Sequence, residues 1–463
     1  MKKDMVLMIL IFSAALLLFS LFQTKVLFTD VSQYVNTAKE FAGIATSKVR
    51  VFSSAVYPWF LGQFLKIMPS MATLKILNVL WLILDAILLY WYAKRKETLL
   101  IFMFAPVVWY VSAWINPILP VSFFLLLAYV MFKKYEELKE KKYFVLSALS
   151  LGLTATLWLP AFYLSVFFII AFFYNKKLST VLYYLAVFLI TFSLRLAVEH
   201  YYFNFPLFTF IRGLGSNFLF LISSEETVRS NFLVLGKTIL LILLSISPLF
   251  FRIYRIKFKS LRKEIIFLAL SFILFFGNAN IRYFIVLMPI LAIIFTDILK
   301  EKEIKWHIIF SVFLVIFLTS QFFGITNDYL IKKDLDKIED KYPREKFIVG
   351  AEGASEEQAM FLSTLYWGDK IEDFATFVDY KLDLRNENIY RQYKLSSDAR
   401  INDIREIEFI INYKKTDEKK DYDDYKYLIL IGDEGKLPNN FKFLEKYNVL
   451  RVYTNEDART ERN

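Results

Sequence analysis

Only a few ionisable side chains lie in or next to the long apolar segments of this chain, and they are the candidates for chemistry. Asp30 directly follows the first apolar segment, where a carboxylate could accept the proton of a hydroxyl group. Tyr34 lies four residues further along, one turn away if the segment is helical. Asp30 and Gln33 also have the spacing of a helix capping box. The sequence therefore leaves two interpretations of Asp30 open, a catalytic base and a helix cap.

Two arginines are candidates for binding an anion. Arg282 lies in a short connection between two apolar segments and is followed by Tyr283, an aliphatic run and Pro289. Its guanidinium must either extend to the membrane interface or meet an anion, and its planar fork of N–H groups suits a phosphate. Arg50 lies in the same connection as Asp30 and is a second candidate for this role.

Three further residues are polar at unusual positions. Asp85 lies inside an apolar segment, where a carboxyl group is costly unless it is paired or faces water. It either supports a functional site or forms a structural hydrogen bond to a neighbouring helix. Glu199 and His200 open a second long connection, but adjacent side chains on a helix do not point the same way, which favours a hydrogen-bonded or surface histidine over a metal ligand. No metal site and no cofactor are predicted, and a divalent metal is left open.

The elements that position these residues are predicted to be membrane helices. Hydrophobic residues make up 57% of the 463 residues, compared with about 45–50% in soluble domains. Because a helix needs about 20 apolar residues to cross a bilayer, the sequence predicts an all-α polytopic membrane protein with about eleven spans. The predicted spans are 5–22, 74–93, 98–114, 119–133, 143–157, 161–174, 178–197, 231–251, 264–277, 283–299 and 306–324. No small-residue cleavage site follows the first of them, so it is expected to remain as a span.

The distribution of charge predicts how the spans are oriented. Residues 1–324 contain 32 Lys and Arg against 15 Asp and Glu, a balance of +17, whereas residues 325–463 contain 24 against 30, a balance of −6. When alternate connections are placed on one side, that side holds 21 basic residues and the other side nine. By the positive-inside rule the N-terminus is cytoplasmic and the acidic tail lies outside the cell membrane. The basic excess thus sets the topology in membrane lipid and does not indicate a nucleic-acid partner.

The connections differ in length between the two sides. The predicted outer loops 23–73 and 198–230 are long, so a site is expected on the outer face. Residues 1–324 form the predicted membrane module, and residues 325–463 form a small extracytoplasmic α/β domain. Within that domain the apolar runs predict strands and helices. The predicted strands are 346–350, 409–412, 427–431 and 449–453, and the predicted helices are 356–365 and 441–447.

The first outer loop and the second span also carry a family resemblance. The residues that carry it are Thr29, Asp30, Tyr34, Ala38, Gly43, Arg50, Tyr57, Pro58, Lys75 and Asp85. This pattern resembles the GT-C superfamily of glycosyltransferases and, within it, is similar to dolichyl-phosphate-mannose-dependent mannosyltransferases of the GPI mannosyltransferase I type. Val31 and Ser32 stand where that family commonly has a second acidic residue, so a metal-independent mechanism is the simpler expectation.

The resemblance implies an inverting membrane glycosyltransferase that takes a sugar, mannose above all, from a polyprenyl- or dolichyl-phosphate donor. The acceptor would be a glycan, a lipid or a protein. It implies that Asp30 is catalytic and that Arg282 and Arg50 bind the donor phosphate. The further site candidates are Tyr34, Tyr283, Glu199, His200 and Asp85.

Two alternatives from other functional classes remain. A transporter or lipid-linked sugar flippase would be expected to show internal repeats and ionisable groups at mid-membrane, of which the sequence has few. A polysaccharide polymerase or ligase would share the outer-face site and concentrate arginines in the large outer loops, where Arg212 and Arg229 are the examples.

Overall fold

The computed structural model is mostly helical. It describes residues 3–23, 29–44, 54–203, 206–207, 209–211, 252, 254–255, 261–276, 281–319, 327–342, 347–351, 371–376, 426–431 and 441–455. The described helices are α1 (Lys3–Phe22), α2 (Thr29–Ala42), α3 (Val56–Leu65), α4 (Met71–Ala93), α5 (Lys96–Met103), α6 (Pro106–Val111), α7 (Ile118–Leu138), α8 (Lys141–Leu157), α9 (Leu159–Phe173), α10 (Leu178–Phe203), α11 (Arg262–Phe276), α12 (Met288–Ile298), α13 (Glu301–Thr319) and α14 (Asn327–Lys341). A 3-10 segment, Ile281–Val286, precedes α12.

Four of the described helices are long and apolar enough to cross a membrane: Lys3–Phe22, Met71–Ala93, Ile118–Leu138 and Leu178–Tyr202. The helices α9 and α12 are apolar but shorter. On α1, Leu16 is fully buried whereas Leu10 and Leu18 are 60% and 57% exposed, so one face packs on the bundle and the other suits lipid. The chain is therefore a multi-pass membrane protein, with four clear spans among the described residues compared with the larger number predicted.

Two predicted spans differ in detail from the structure. Residues 98–114 form α5 and α6 in place of one helix, because Pro106 lacks an N–H and Ala105 before it is extended. The predicted span 283–299 begins with the 3-10 segment and becomes α-helical only at Met288. The prediction for 231–251 lies outside the described residues.

The helical part has two ends that differ in the contacts made by their connections. One end holds ion pairs between connections that the charge pattern places on one side of the membrane. These pairs are Lys133 Nζ with Glu264 at 2.6 Å, Lys263 Nζ with Glu136 at 2.5 Å, Arg255 with Glu303 at 2.9 Å and Arg95 with Asp297 at 2.8 Å. The other end, called the site end below, holds α2 and α3.

A five-stranded mixed sheet follows the helices. Its strands are β1 (Phe347–Ala351), β2 (Ile371–Thr376), β3 (Tyr427–Ile431), β4 (Phe441–Lys446) and β5 (Leu450–Asn455). Their order is β2-β1-β3-β5-β4, with β1 parallel to β2 and β3, and β5 antiparallel to β3 and β4. The predictions of strands at 346–350, 427–431 and 449–453 are confirmed, and those for 356–365 and 409–412 lie outside the described residues.

The prediction of a helix at 441–447 is wrong, because β4 occupies those positions. A short connection lets β4 pair with β5, and the N–H of Tyr447 donates to the carbonyl of Leu450 at 2.8 Å. The rings of Phe443 and Tyr453 pack edge to face across the two strands, 5.7 Å apart. This cross-strand pairing decides the conformation of a run too short for its own periodicity to do so.

Candidate functional site

The helix α2 positions Asp30 at the site end. Asp30 is the second residue of the helix, so its backbone lies in the first turn, and its side chain lies outside the described part of the structure. The predicted left-handed stop is confirmed, because Gly43 has a φ of +73°. Its N–H donates to the carbonyl of Glu40 at 3.0 Å and closes the helix. Gly43 thus fixes the C-terminal end of the helix that carries the candidate base.

The helix α2 packs closely on α3. A Cβ at Gly62 would lie 2.8 Å from the Cβ of Phe41 and 2.9 Å from the carbonyl oxygen of Ala38, so the two backbones approach as closely as a glycine allows. The rings of Tyr34 and Tyr57 meet edge to face with centroids 5.4 Å apart. One turn of α2 beyond Asp30 is therefore fixed against α3.

A buried hydrogen-bonded path continues from α3 into the bundle. Tyr57 is fully buried, and its hydroxyl donates to Oδ1 of Asn78 on α4 at 3.4 Å. Burial, followed by the nearby Tyr34, raises the pKa of Tyr57 well above its usual value, so the phenol stays a donor. The amide of Asn78 donates in turn to the carbonyl oxygen of Trp114. The path thus joins α3 to the connection between α6 and α7.

Arg282 lies at the end of this path. It is only 9% exposed, and its guanidinium carbon lies 5.5 Å from the ring centre of Trp114 and 5.1 Å from that of Tyr283. Nη2 also donates to the hydroxyl of Tyr283 at 3.2 Å, and the ring of Tyr283 packs on Trp158 at 5.2 Å. Aromatic rings therefore hold the cation inside the site end, and it does not extend to solvent.

Three sequence-predicted residues are thereby connected in one layer, which we call the outer layer: Tyr34, Tyr283 and Arg282. Asp30 belongs to it through its helix, since four residues correspond to a rise of about 6 Å. Arg50 lies outside the described residues. The outer layer unites a carboxylate-bearing helix terminus and a buried guanidinium.

A second polar group, the inner layer, consists of Asp85, Ser122 and the carbonyl of Ile285. Asp85 is fully buried on α4, and its Oδ2 lies 2.9 Å from Oγ of Ser122 on α7. The same Oγ lies 3.2 Å from the carbonyl oxygen of Ile285 in the 3-10 segment. Of the two interpretations of Asp85, the structure shows the hydrogen bond to a neighbouring helix. That bond reaches the segment that carries Arg282.

Glu199 and His200 lie in the last turn of α10, which continues to Phe203 and so extends beyond the predicted start of the second outer loop at 198. Glu199 is fully buried and accepts a hydrogen bond from Nε of Arg195 at 2.7 Å. His200 is exposed. The backbone N–H of Thr209 also donates to Oε2 of Glu199 at 3.0 Å, so the hydrogen bonds described for Glu199 are with residues that do not belong to the outer layer.

The end of α10 nevertheless meets α2. The hydroxyl of Tyr202 donates to the carboxylate of Glu40, and its ring packs on Phe41 with centroids 4.6 Å apart. The C-terminal end of α10 is therefore adjacent to the helix that carries Asp30.

Sequence reasoning missed several buried polar residues at this end. Lys39 is 1% exposed, and burial lowers its pKa well below the usual lysine value. Its spacing from the buried residues Val31 and Val35 is helical and could have revealed it. Arg195 had the signal of an acidic residue four positions later. Asn78 had none, because its partner is 36 residues away.

The described residues contain no group of three or more His, Asp or Glu side chains able to hold a metal ion. Lys75, which belongs to the family resemblance, is buried, and its Nζ donates to the carbonyl of Gln23 at 2.5 Å. It thus closes the C-terminus of α1.

The fold has relatives among solved structures. No protein-family model matches the chain, and no curated protein matches it. The crystal structure of ArnT from Cupriavidus metallidurans bound to undecaprenyl phosphate is similar, with a TM-score of 0.65, 12% identity and 100% of both chains covered. The apo structure of the same protein has a TM-score of 0.64 and 10% identity, with 98% of this chain and 99% of that chain covered. At this identity the likeness establishes a shared, ArnT-like fold over the whole length of the chain.

Proposed function

We propose that this protein is an integral membrane glycosyltransferase of the GT-C type that uses a polyprenyl-phosphate-linked sugar as donor. The observation that carries the proposal is the outer layer, which connects the helix of Asp30 to the buried guanidinium of Arg282. The shared fold with a protein crystallised with undecaprenyl phosphate supports a polyprenyl phosphate as the ligand class.

In the proposed reaction an acceptor hydroxyl attacks the anomeric carbon of the donor sugar. The new carbon–oxygen bond forms as the bond to the phosphate oxygen breaks, and the configuration inverts. Asp30 takes the proton of the hydroxyl, and Arg282, with Arg50, stabilises the charge on the departing polyprenyl phosphate. Such a reaction depends on positioning and on charge stabilisation, which one carboxylate and fixed cations supply.

The finer features of the proposal rest on the sequence. The sugar is mannose, by resemblance, and the acceptor is a glycan, lipid or protein. The site end faces outward, the N-terminus is cytoplasmic, and residues 325–463 form an extracytoplasmic domain, because the basic connections lie at the opposite end. Tyr34 and Tyr283 line the site, Asp85 supports it, and Glu199 and His200 lie at its edge.

A transfer assay tests this function. Purified membranes that contain the protein, and that supply acceptors, receive radiolabelled polyprenyl-phosphate sugars, mannose among them, and transfer with the unmodified chain is compared with transfer with Asp30→Asn. We expect transfer from at least one donor and a loss of at least about 100-fold in the variant, the scale of general-base catalysis. The matched control is Asp4→Asn, an exposed aspartate in the first turn of α1.

Two results would count against the proposal. Full transfer by a well-folded Asp30→Asn protein would remove that residue from the reaction. Movement of a labelled lipid-linked sugar across a vesicle membrane, with no transfer from any donor, would favour a flippase.

A further inference from the structure

The inner layer presents a hydrogen-bonding problem. A serine hydroxyl has one proton to donate, yet Oγ of Ser122 lies within hydrogen-bond distance of two oxygen atoms, Oδ2 of Asp85 and the carbonyl oxygen of Ile285. If Asp85 were a carboxylate, both of these atoms would be acceptors that compete for one proton. One hydrogen bond must therefore run in the other direction or be lost.

The carbonyl of Ile285 needs a donor for a local reason. In an α-helix this carbonyl would accept from the N–H of the residue four positions later, and that residue is Pro289, which has no N–H. Pro289 is at the start of α12, where a proline is well tolerated, and the residues before it form the 3-10 segment. The hydroxyl of Ser122 is the side-chain donor that the structure places at this carbonyl.

The surroundings of Asp85 disfavour a charge. The residue is fully buried within a membrane helix, and its Oδ1 has no hydrogen-bond partner among the described residues. An ionised carboxylate left in this way would lose its hydration without compensation. A neutral carboxyl group has its own proton to donate and leaves a weaker acceptor behind.

We propose that Asp85 is a protonated carboxylic acid that donates to Ser122, so that Ser122 donates to Ile285 and fixes the 3-10 segment that carries Arg282. The direction of this relay is Asp85 to Ser122 to the carbonyl of Ile285. Asp85 and Ser122 are then positioning residues for the cation of the outer layer, a role that rests on the proposed function. The relay itself is a property of the folded protein and holds whatever ligand Arg282 binds.

The substitutions follow from this direction. Asp85→Asn keeps a neutral donor of similar shape, and we expect it to retain transfer within about twofold of the unmodified protein. Ser122→Ala removes the donor to the Ile285 carbonyl, and Asp85→Ala removes the group that orients that donor. In both variants we expect the KM for the lipid donor to rise at least about fivefold. Ser271→Ala is the matched control, because that hydroxyl donates to Phe267 within its own helix at 2.8 Å.

Infrared difference spectroscopy gives a readout that needs no activity. At pH 7 the spectrum of the unmodified protein minus that of Asp85→Asn should contain the carbonyl stretch of a protonated carboxyl group. A carboxylate band in its place would overturn the proposal. So would an Asp85→Asn protein that loses transfer as completely as Asp85→Ala, because that result would show a need for the charge or for proton exchange.

Failure of the proposed function is distinguishable from failure of the relay. If no donor supports transfer, the infrared band and the thermal unfolding temperatures still test the relay. The relay then requires Asp85→Asn to unfold near the temperature of the unmodified protein, and Asp85→Ala and Ser122→Ala to unfold at lower temperatures. Equal unfolding temperatures for all four proteins would overturn it.

Discussion

Arg195 and Glu199 form a fully buried ion pair one helical turn apart on α10, with Nε 2.7 Å from Oε1. Thr209 completes the group, since its N–H donates to Oε2 of Glu199 at 3.0 Å and its hydroxyl accepts from Nη2 of Arg195 at 2.8 Å. The guanidinium also lies 5.3 Å from the ring centre of Phe210. Thr209 and Phe210, which follow α10 in the chain, are thereby held against that helix.

Removing one charge of this pair should lower the free energy of unfolding more than removing both charges does. Arg195→Met leaves Glu199 buried without its cation, and we expect a loss of about 3–5 kcal/mol in the free energy of unfolding. Adding Glu199→Leu to Arg195→Met should recover part of that loss. Thermal unfolding in detergent measures both, with Arg95→Met in an exposed pair as the control. A double variant at least as unstable as the single variant would contradict this account.

The close approach of α2 and α3 predicts a sensitive position. Gly62→Ala adds a Cβ less than 3 Å from the backbone of α2, so the helices must separate, at a cost of about 1–3 kcal/mol. Because α2 carries Asp30, transfer should fall along with the unfolding temperature. Gly43→Asn is the comparison, because its left-handed conformation suits Asn and no atom lies within 4 Å of a Cβ there. Equal behaviour of the two variants would show that the contact is not tight.

The aromatic contact between Tyr34 and Tyr57 can be measured by a double-mutant cycle. Each tyrosine is changed to Leu, singly and together, and unfolding is followed by tryptophan fluorescence. We expect a coupling free energy of about 0.5–1.5 kcal/mol, the usual value of an edge-to-face pair beyond its buried area. Strictly additive losses for Tyr34 and Tyr57 would mean that the contact does not fix α2.

The proposed orientation can be tested directly because the chain contains no cysteine. Lys66→Cys lies in the exposed connection between α3 and α4, and Lys142→Cys is an exposed position at the basic end. In intact cells a membrane-impermeant maleimide should label the first variant and reach the second only after permeabilisation. The reverse pattern would invert the topology.

The contact between α14 and β4 should weaken in acid. Burial raises the pKa of the Glu445 carboxyl, but hydrogen bonds from Lys341, Tyr342 and Tyr447 outweigh burial and hold it below the usual 4.5. A carboxyl whose pKa is lower in the folded state stabilises that state at neutral pH, and this contribution is lost as the pH falls from about 4.5 through the folded pKa.

Hydrogen exchange in β4 measures this effect in the full chain. At pH 7 the unmodified protein should protect β4 more than Glu445→Gln does, and the difference should shrink at a pH below 4. Comparing both proteins at each pH removes the intrinsic pH dependence of exchange. If the difference in β4 protection between the two proteins grows in acid, the Glu445 carboxylate does not stabilise this contact at neutral pH.

The sequence predicted the elements whose pattern is local. The helix α2 follows from its apolar spacing and from Gly43, and β3 from a run of aliphatic residues. It did not predict the break at Pro106, because hydropathy averaged over a span hides a single missing N–H. The sequence pattern also predicted a helix at 441–447, because a run of that length is too short to distinguish the 3.6-residue period of a helix from the two-residue period of a strand.

The candidate site was predictable only in part. Asp30 and Arg282 were identified as unusual residues, and the resemblance gave them roles. The path between them was not predictable, because Asn78 and Trp114 have no local signature and meet only in the folded bundle. Side chains that connect distant segments depend on the tertiary fold, which single-sequence patterns do not specify.

The bond between Ser122 and Ile285 also has a consequence for biosynthesis. Its partners are 163 residues apart in the chain, so at roughly 5–20 residues per second the ribosome needs roughly 8 to 30 s to supply the second after the first. During most of that interval α4 and α7 are already made, while the carbonyl that completes the relay does not yet exist. A nascent chain arrested before Ile285 therefore contains Asp85 and Ser122 but lacks the carbonyl that accepts the hydrogen bond from Ser122.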